Sequence, residues 1–222
     1  MFLVMEGIDG SGKSTVARLV EQELNSPGSA GTAGSGGKKA LGPLGAEAAA
    51  RADRLRRLIW ASPEADGDTF GATHWILLIA SWYAGLARLR SDLTDPDRIA
   101  VMDGWYYRNI AKTLVREPLD AKWVESLFAP VPEPELTVLL DVAPETAWAR
   151  RDSFKDTETG RWDGFTGPPR DAFHAYQSVV RGELLRMAGE RGWLVLAPDP
   201  DEPPERIAQA VVDRVRTTRR EP

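Results

Sequence analysis

Residues 1–15 read MFLVMEGIDGSGKST, an apolar run that passes directly into three glycines, a lysine and three hydroxyl side chains. The run Phe2–Met5 is too short for a buried helix and suits one strand of a parallel sheet covered on both faces. The next residues, Gly7-Ile8-Asp9-Gly10-Ser11-Gly12-Lys13-Ser14, fit G-x-x-x-x-G-K-[ST] without a mismatch. A helically spaced segment, Lys13–Leu24, follows, so the motif stands in the strand–loop–helix context that it requires. Successive backbone N–H groups and the positive end of the helix macrodipole then point at one anion. Lys13 reaches the β- and γ-phosphates of a triphosphate, and the Ser14 hydroxyl takes a place on Mg²⁺. The sequence therefore predicts a triphosphate-binding loop built from Gly7, Gly10, Ser11, Gly12, Lys13, Ser14 and Thr15.

Composition bounds what surrounds this loop. The chain has 222 residues, enough for one sizeable core and a single domain spanning 1–222. A hydrophobic fraction of 42% and a charged fraction of 27% are ordinary for a globular protein. A net charge of -5 argues against a nucleic-acid or anionic-membrane partner, which calls for a basic surface. The absence of cysteine excludes disulfides, thiolate metal sites and cysteine nucleophiles. No apolar stretch approaches membrane-spanning length, and Glu6 and Asp9 arrive too early for a signal peptide. The expectation is a cytoplasmic protein.

Short apolar runs at Phe2–Glu6, Ile99–Asp103, Leu136–Asp141 and Trp193–Ala197 read as buried strands. Helical spacing marks Lys13–Leu24, Ala46–Trp60, Ala72–Leu93, Tyr106–Val115, Pro144–Arg151, Asp171–Arg191 and Pro204–Arg216. This alternation predicts an α/β fold: a P-loop three-layer sandwich with a mostly parallel sheet of four or five strands and helices on both faces. Residues 26–37, SPGSAGTAGSGG, are small and uncharged and read as a flexible loop. The following KKALGPLG, Lys38–Gly45, is a place for a short edge strand. Residues 150–170, RRDSFKDTETGRWDGFTGPPR, are polar, turn-rich and dense in arginine, as suits a mobile lid that closes over phosphates.

A triphosphate site serves GTP switches, motors and small-molecule kinases alike. No N-K-x-D guanine-reading motif occurs, and no long extra region offers motor coupling. Acids stand at the strand ends, Asp103 and Asp141, where ligands of open α/β sheets gather. These features point to a kinase. FLVMEGIDGSGKST also resembles the N-terminus of the thymidylate kinase family, which typically reads F-x-x-x-E-G-x-D-G-x-G-K-[ST]-T. VMDGWYY, from Val101, resembles that family's strand ending in an Asp-Arg-Tyr-type motif. LTVLLDVAPETAWAR, from Leu136, resembles its later L-D-V-x-P-E strand and the helix leading to the lid.

The resemblance implies a homodimeric kinase that moves the γ-phosphoryl of ATP-Mg²⁺ to a small acceptor, a pyrimidine deoxynucleoside monophosphate such as dTMP. It implies that Lys13, Ser14 and Thr15 serve the ATP phosphates and metal, and that Asp9 lies near the acceptor and the transferred phosphoryl. Asp103 would join Ser14 at the metal. Glu6 either orients groups near the acceptor or satisfies backbone donors at the strand end. With Gly10 and Ser11 in the loop, the catalytic arginine is expected from the lid, from among Arg150, Arg151, Lys155 and Arg161, with Arg151 and Arg161 assigned catalytic roles.

Departures from the family pattern fall at the acceptor site. The Asp-Arg pair is Asp103-Gly104 here, Trp82 stands near the place of a helical arginine, and the Arg-Glu-Pro-Gly stretch is LGPLG, Leu41–Gly45. Those arginines hold the acceptor's phosphate in the family, by the bidentate geometry that guanidinium offers. Either Arg51, Arg54, Arg57 or Arg108 replaces them, or the acceptor is an unphosphorylated nucleoside or other hydroxyl metabolite stacked on aromatics such as Trp82, Trp105 and Tyr106. A rival from another class is a nucleotide-binding regulator without turnover. The acceptor residues expected are Glu6, Arg54, Trp82, Trp105 and Arg108.

Overall fold

The computed structural model describes residues 1–26, 32–35, 44–60 and 68–219. Its strands are β1 (Phe2–Glu6), β2 (Thr32–Ser35), β3 (Arg98–Met102), β4 (Leu136–Leu140) and β5 (Leu194–Leu196). Its helices are α1 (Lys13–Leu24), α2 (Ala46–Trp60), α3 (Gly71–Leu89), α4 (Tyr107–Arg116), α5 (Ala121–Ser126), α6 (Pro144–Ala149), α7 (Asp156–Thr159), α8 (Pro169–Arg191) and α9 (Pro204–Thr218). The strands form one sheet in the order β2-β3-β1-β4-β5, and every neighbouring pair is parallel.

The period of two along β1 divides the core between two faces. Phe2 and Val4 pack with Ile76 and Tyr83 of α3, Ile110 of α4 and Val180 of α8. Leu3 and Met5 pack on the other side with Val16 and Val20 of α1 and Val211 and Val215 of α9. The result is helix on sheet on helix, the layering expected of strands buried on both faces.

β2 falls inside the stretch 26–37 that reads as a loop. Pairing with β3 needs only backbone groups, which Thr32-Ala33-Gly34-Ser35 supply. No strand is seen at Leu44 and Gly45, and residues 38–43 of the expected edge strand lie outside the described residues. The helix expected to run to Leu93 stops at Leu89, followed by a 3₁₀ turn over Ser91–Thr94. Within the expected lid, α7 and a 3₁₀ turn at Arg161–Asp163 are folded. No helix among the described residues is long and apolar enough to cross a membrane.

The strand order positions the site. β1 is central, with β3 and β4 on its two sides, so the ends of all three strands open on the same edge of the sheet. The loop Gly7–Gly12 follows β1, Asp103 follows β3 and Asp141 follows β4. The chain leaves β1 toward β2 and β3 and then crosses to β4, which makes β1 the switch point where such sheets take ligands.

Leu3 is fully buried. Leu3→Ala is expected to cost about 2–5 kcal/mol, read as a lowered denaturant midpoint. Val179→Ala, at a side chain 49% exposed, stays within about 0.5 kcal/mol of the parent.

Candidate functional site

The turn after β1 is shaped by a close approach. Gly10 has φ 83, and a Cβ there would lie 2.9 Å from the Ala147 carbonyl oxygen of α6. The loop and α6 therefore pack backbone to backbone, and no arginine fits at position 10. α1 begins at Gly12 with no side-chain cap and no acid in its first turn, which leaves its leading N–H groups open to an anion. The Ser11 hydroxyl is buried with no hydrogen-bond partner among the described residues, a donor free for an anion's oxygen.

Two charged side chains of this loop are buried. Lys13 curls back so that Nζ donates to the Ile8 carbonyl at 2.9 Å. Asp9 collects donors from two other helices. Arg108 of α4 donates to its Oδ1 at 2.5 Å and Lys112 of α4 to its Oδ2 at 2.8 Å. Gln177 of α8 donates to Oδ2 at 3.3 Å and accepts the Asp9 backbone N–H through Oε1 at 3.3 Å. Burial alone would raise the Asp9 pKa, but the charges of Arg108, Lys112 and Lys13 overcome it and hold the carboxyl well below its usual range.

Burial, reinforced by the Arg108 charge, pushes Lys13 down to about 7, against the pull of Asp9 and Glu6. Three cations, Lys13, Arg108 and Lys112, thus face two carboxylates, Glu6 and Asp9, in a water-poor site. With Lys13 protonated, the excess positive charge adds to the α1 dipole and favours anionic ligands.

The other expected residues divide. Glu6 is fully buried and its Oε1 accepts the Trp105 backbone N–H at 2.7 Å, tying the end of β1 to the loop after β3. Trp105 and Trp82, expected as stacking faces for the acceptor, are core residues instead. Trp105 lies edge-on to Phe2 and Tyr83 and donates its indole N–H to Pro132, while Trp82 packs edge-on against Trp60. Their large apolar surfaces are worth more in the core than at a wet site. Arg54 is exposed on α2 and no contact among the described residues joins it to the cluster.

Of the arginines leading the 150–170 segment, Arg150 touches the loop, donating to the Ser11 carbonyl at 3.3 Å and to the Pro200 carbonyl at 3.1 Å. Arg151 is paired with Glu158 and lies over the Phe154 ring. Arg161 lies 3.8 Å from Asp156. Asp141 is held bidentately by Arg181.

Ser14 is exposed on the first turn of α1 and Asp103 is half-buried at the end of β3. Neither side chain has a hydrogen-bond partner among the described residues, and a hydroxyl with a carboxylate is an oxygen set that suits Mg²⁺. Thr15 is exposed beside Ser14.

Sequence reading missed Lys112 and Gln177. Lys112 had a signal, since it stands four residues after Arg108 and so shares its helix face. Gln177 had none: it lies 168 residues from Asp9, one polar residue among many on a long helix.

No family model matches the chain. It is similar to a thymidylate kinase of Jannaschia sp., 31% identical over 201 residues, covering 82% of this chain and 83% of that protein. A thymidylate kinase of Ruegeria pomeroyi is 28% identical over 223 residues, 98% of this chain and 95% of its own length. A probable thymidylate kinase of Sulfolobus acidocaldarius is 31% identical over 161 residues, 68% of this chain and 69% of its own.

With a pKa of about 7, Lys13 is largely neutral at pH 8 in the free protein, and a polyphosphate favours its charged form. Triphosphate binding at pH 8 is therefore expected to take up most of one proton, falling toward zero below pH 6, where Lys13 is already charged. Calorimetry in two buffers of different ionisation enthalpy measures this uptake, and a buffer-independent enthalpy at pH 8 would contradict the assignment.

Proposed function

The chain belongs to the thymidylate kinase family, and from that premise we propose that it transfers the γ-phosphoryl group of ATP to a pyrimidine deoxynucleoside monophosphate, dTMP first. The observation that carries the reading is the buried cation excess beside the loop: Lys13, Arg108 and Lys112 around Asp9. A reaction that brings two phosphate-bearing substrates together needs such a field.

ATP lies with its phosphates in the Gly7–Gly12 loop and on the α1 N-terminus, with Lys13 on the β- and γ-phosphates. Ser14 and Asp103 would hold Mg²⁺, which would supply neutralisation of phosphate charge. Arg108 takes the acceptor's phosphate. It has one hydrogen bond among the described residues, to Asp9, and four further N–H donors to offer. An arginine so placed does the work of the family arginines that this sequence lacks. Asp9 holds Arg108 and Lys112 aimed at the acceptor.

In the transfer, an acceptor phosphate oxygen forms the new bond to the γ-phosphorus as the bond to the β–γ bridging oxygen breaks, and ADP leaves. The acceptor oxygen is already ionised at neutral pH, so positioning and charge stabilisation dominate over proton abstraction. Residues 150–170 form the lid, and Arg150, reaching the Ser11 carbonyl, is its cation nearest the loop. The protein acts in the cytoplasm as a homodimer, for which Leu77 and Leu89 of α3 are exposed apolar side chains.

Release of ADP from ATP-Mg²⁺ is expected with dTMP and not with thymidine. Lys13→Ala lowers kcat/KM by about a hundredfold or more. Arg108→Gln raises the KM for dTMP by about ten- to a hundredfold with little change in the KM for ATP. Turnover with thymidine alone, or unchanged rates in Lys13→Ala, would overturn the assignment.

A further inference from the structure

Two side chains from different helices make the same pair of connections. Lys112 of α4 donates to Asp9 Oδ2 at 2.8 Å and to the Thr157 carbonyl of α7 at 3.2 Å. Gln177 of α8 donates through Nε2 to Asp9 Oδ2 at 3.3 Å and to the Glu158 carbonyl of α7 at 2.6 Å. Its Oε1 accepts the Asp9 backbone N–H, so both amide hydrogens and the amide oxygen are engaged, and Gln177 is fully buried.

α7 has four residues and cannot hold its place by helical propensity. Its position depends on what it rests against. Gly160, which ends α7 at φ 74, lies flush on the Tyr176 ring of α8, where a Cβ would come within 2.4 Å of the ring. Phe154, just before α7, packs on Phe173 of α8 at 4.2 Å between ring centroids. These contacts seat the segment on α8. The Lys112 and Gln177 bonds carry that seat to the loop carboxylate.

We propose that Lys112 and Gln177 are positioning residues that latch the lid helix α7 to the P-loop carboxylate Asp9, so that lid placement and loop geometry are set together. The inference rests on the reading of residues 150–170 as the lid of a phosphoryl-transfer site. Each latch residue holds a backbone carbonyl of α7 rather than a side chain, so lid sequence is free to vary while its distance from the phosphates stays fixed. A buried carboxylate holds the inner ends of both latches, and charge-assisted bonds there outlast neutral ones.

Hydrogen–deuterium exchange of the free protein tests this without turnover, so the result stands apart from whether dTMP is the acceptor. The reporters are the amides of Glu158, Thr159 and Gly160, which close the α7 turn on Lys155 and Asp156. Lys112→Met and Gln177→Leu are each expected to speed their exchange about five- to tenfold, the loss of one or two hydrogen bonds. Asp9→Asn is expected to do the same, although no hydrogen bond or ion pair among the described residues joins Asp9 to α7. Amides of β1, β3 and β4 stay within about twofold of the parent. Should Gln177→Leu disturb the core, those strand amides reveal it, and Lys112→Met, at a side chain 23% exposed, carries the test. Wild-type exchange of α7 in Lys112→Met, or in Asp9→Asn, would overturn the proposal.

Discussion

A buried carboxylate organises this site. Asp9 stands in the turn between β1 and α1, where burial raises its pKa. The charges of Arg108, Lys112 and Lys13 overcome that and hold the carboxyl well below its usual range, while Gln177 bonds to it as well. That constraint fixes α4 and α8 against the loop, and α7 rests on the same two helices. The Gly7–Gly12 loop and the α7 segment share one electrostatic anchor.

The fold was largely legible because its signals are local. Short apolar runs gave β1, β3, β4 and β5, the first three of them ending on acids, and helical spacing gave α1, α2, α4, α6, α8 and α9 to within a few residues. β2 was hidden because its residues are small, and an edge strand can be held by backbone pairing alone. α5 and α7 are short, and their boundaries come from caps such as Asp120 on the Trp123 N–H rather than from periodicity.

The site was legible where the motif is contiguous and opaque where it is assembled. Lys13, Ser14 and Asp9 follow from one stretch of sequence. Arg108 follows from its place after the β3 strand, whereas Gln177 comes to Asp9 only because α8 packs across the sheet. Aromatics misled for a related reason. Trp105 stands two residues after Asp103 and Trp82 falls near the place of a family arginine, but position in sequence says nothing of which way a side chain faces, and both turn into the core. Among the cations of residues 150–170, Arg151 is occupied by Glu158, whereas Arg150 reaches the loop.

The central claim is that Arg108, held by Asp9, has taken over the acceptor phosphate from arginines absent at Gly104, Trp82 and Leu41–Gly45. A crystal structure with ADP and dTMP bound together tests it most directly. The account predicts the dTMP phosphate within hydrogen-bond distance of the Arg108 guanidinium, with Asp9 still in contact with Arg108. A dTMP phosphate held by Arg51 or Arg54 of α2, with Arg108 making no bond to it, would contradict the account.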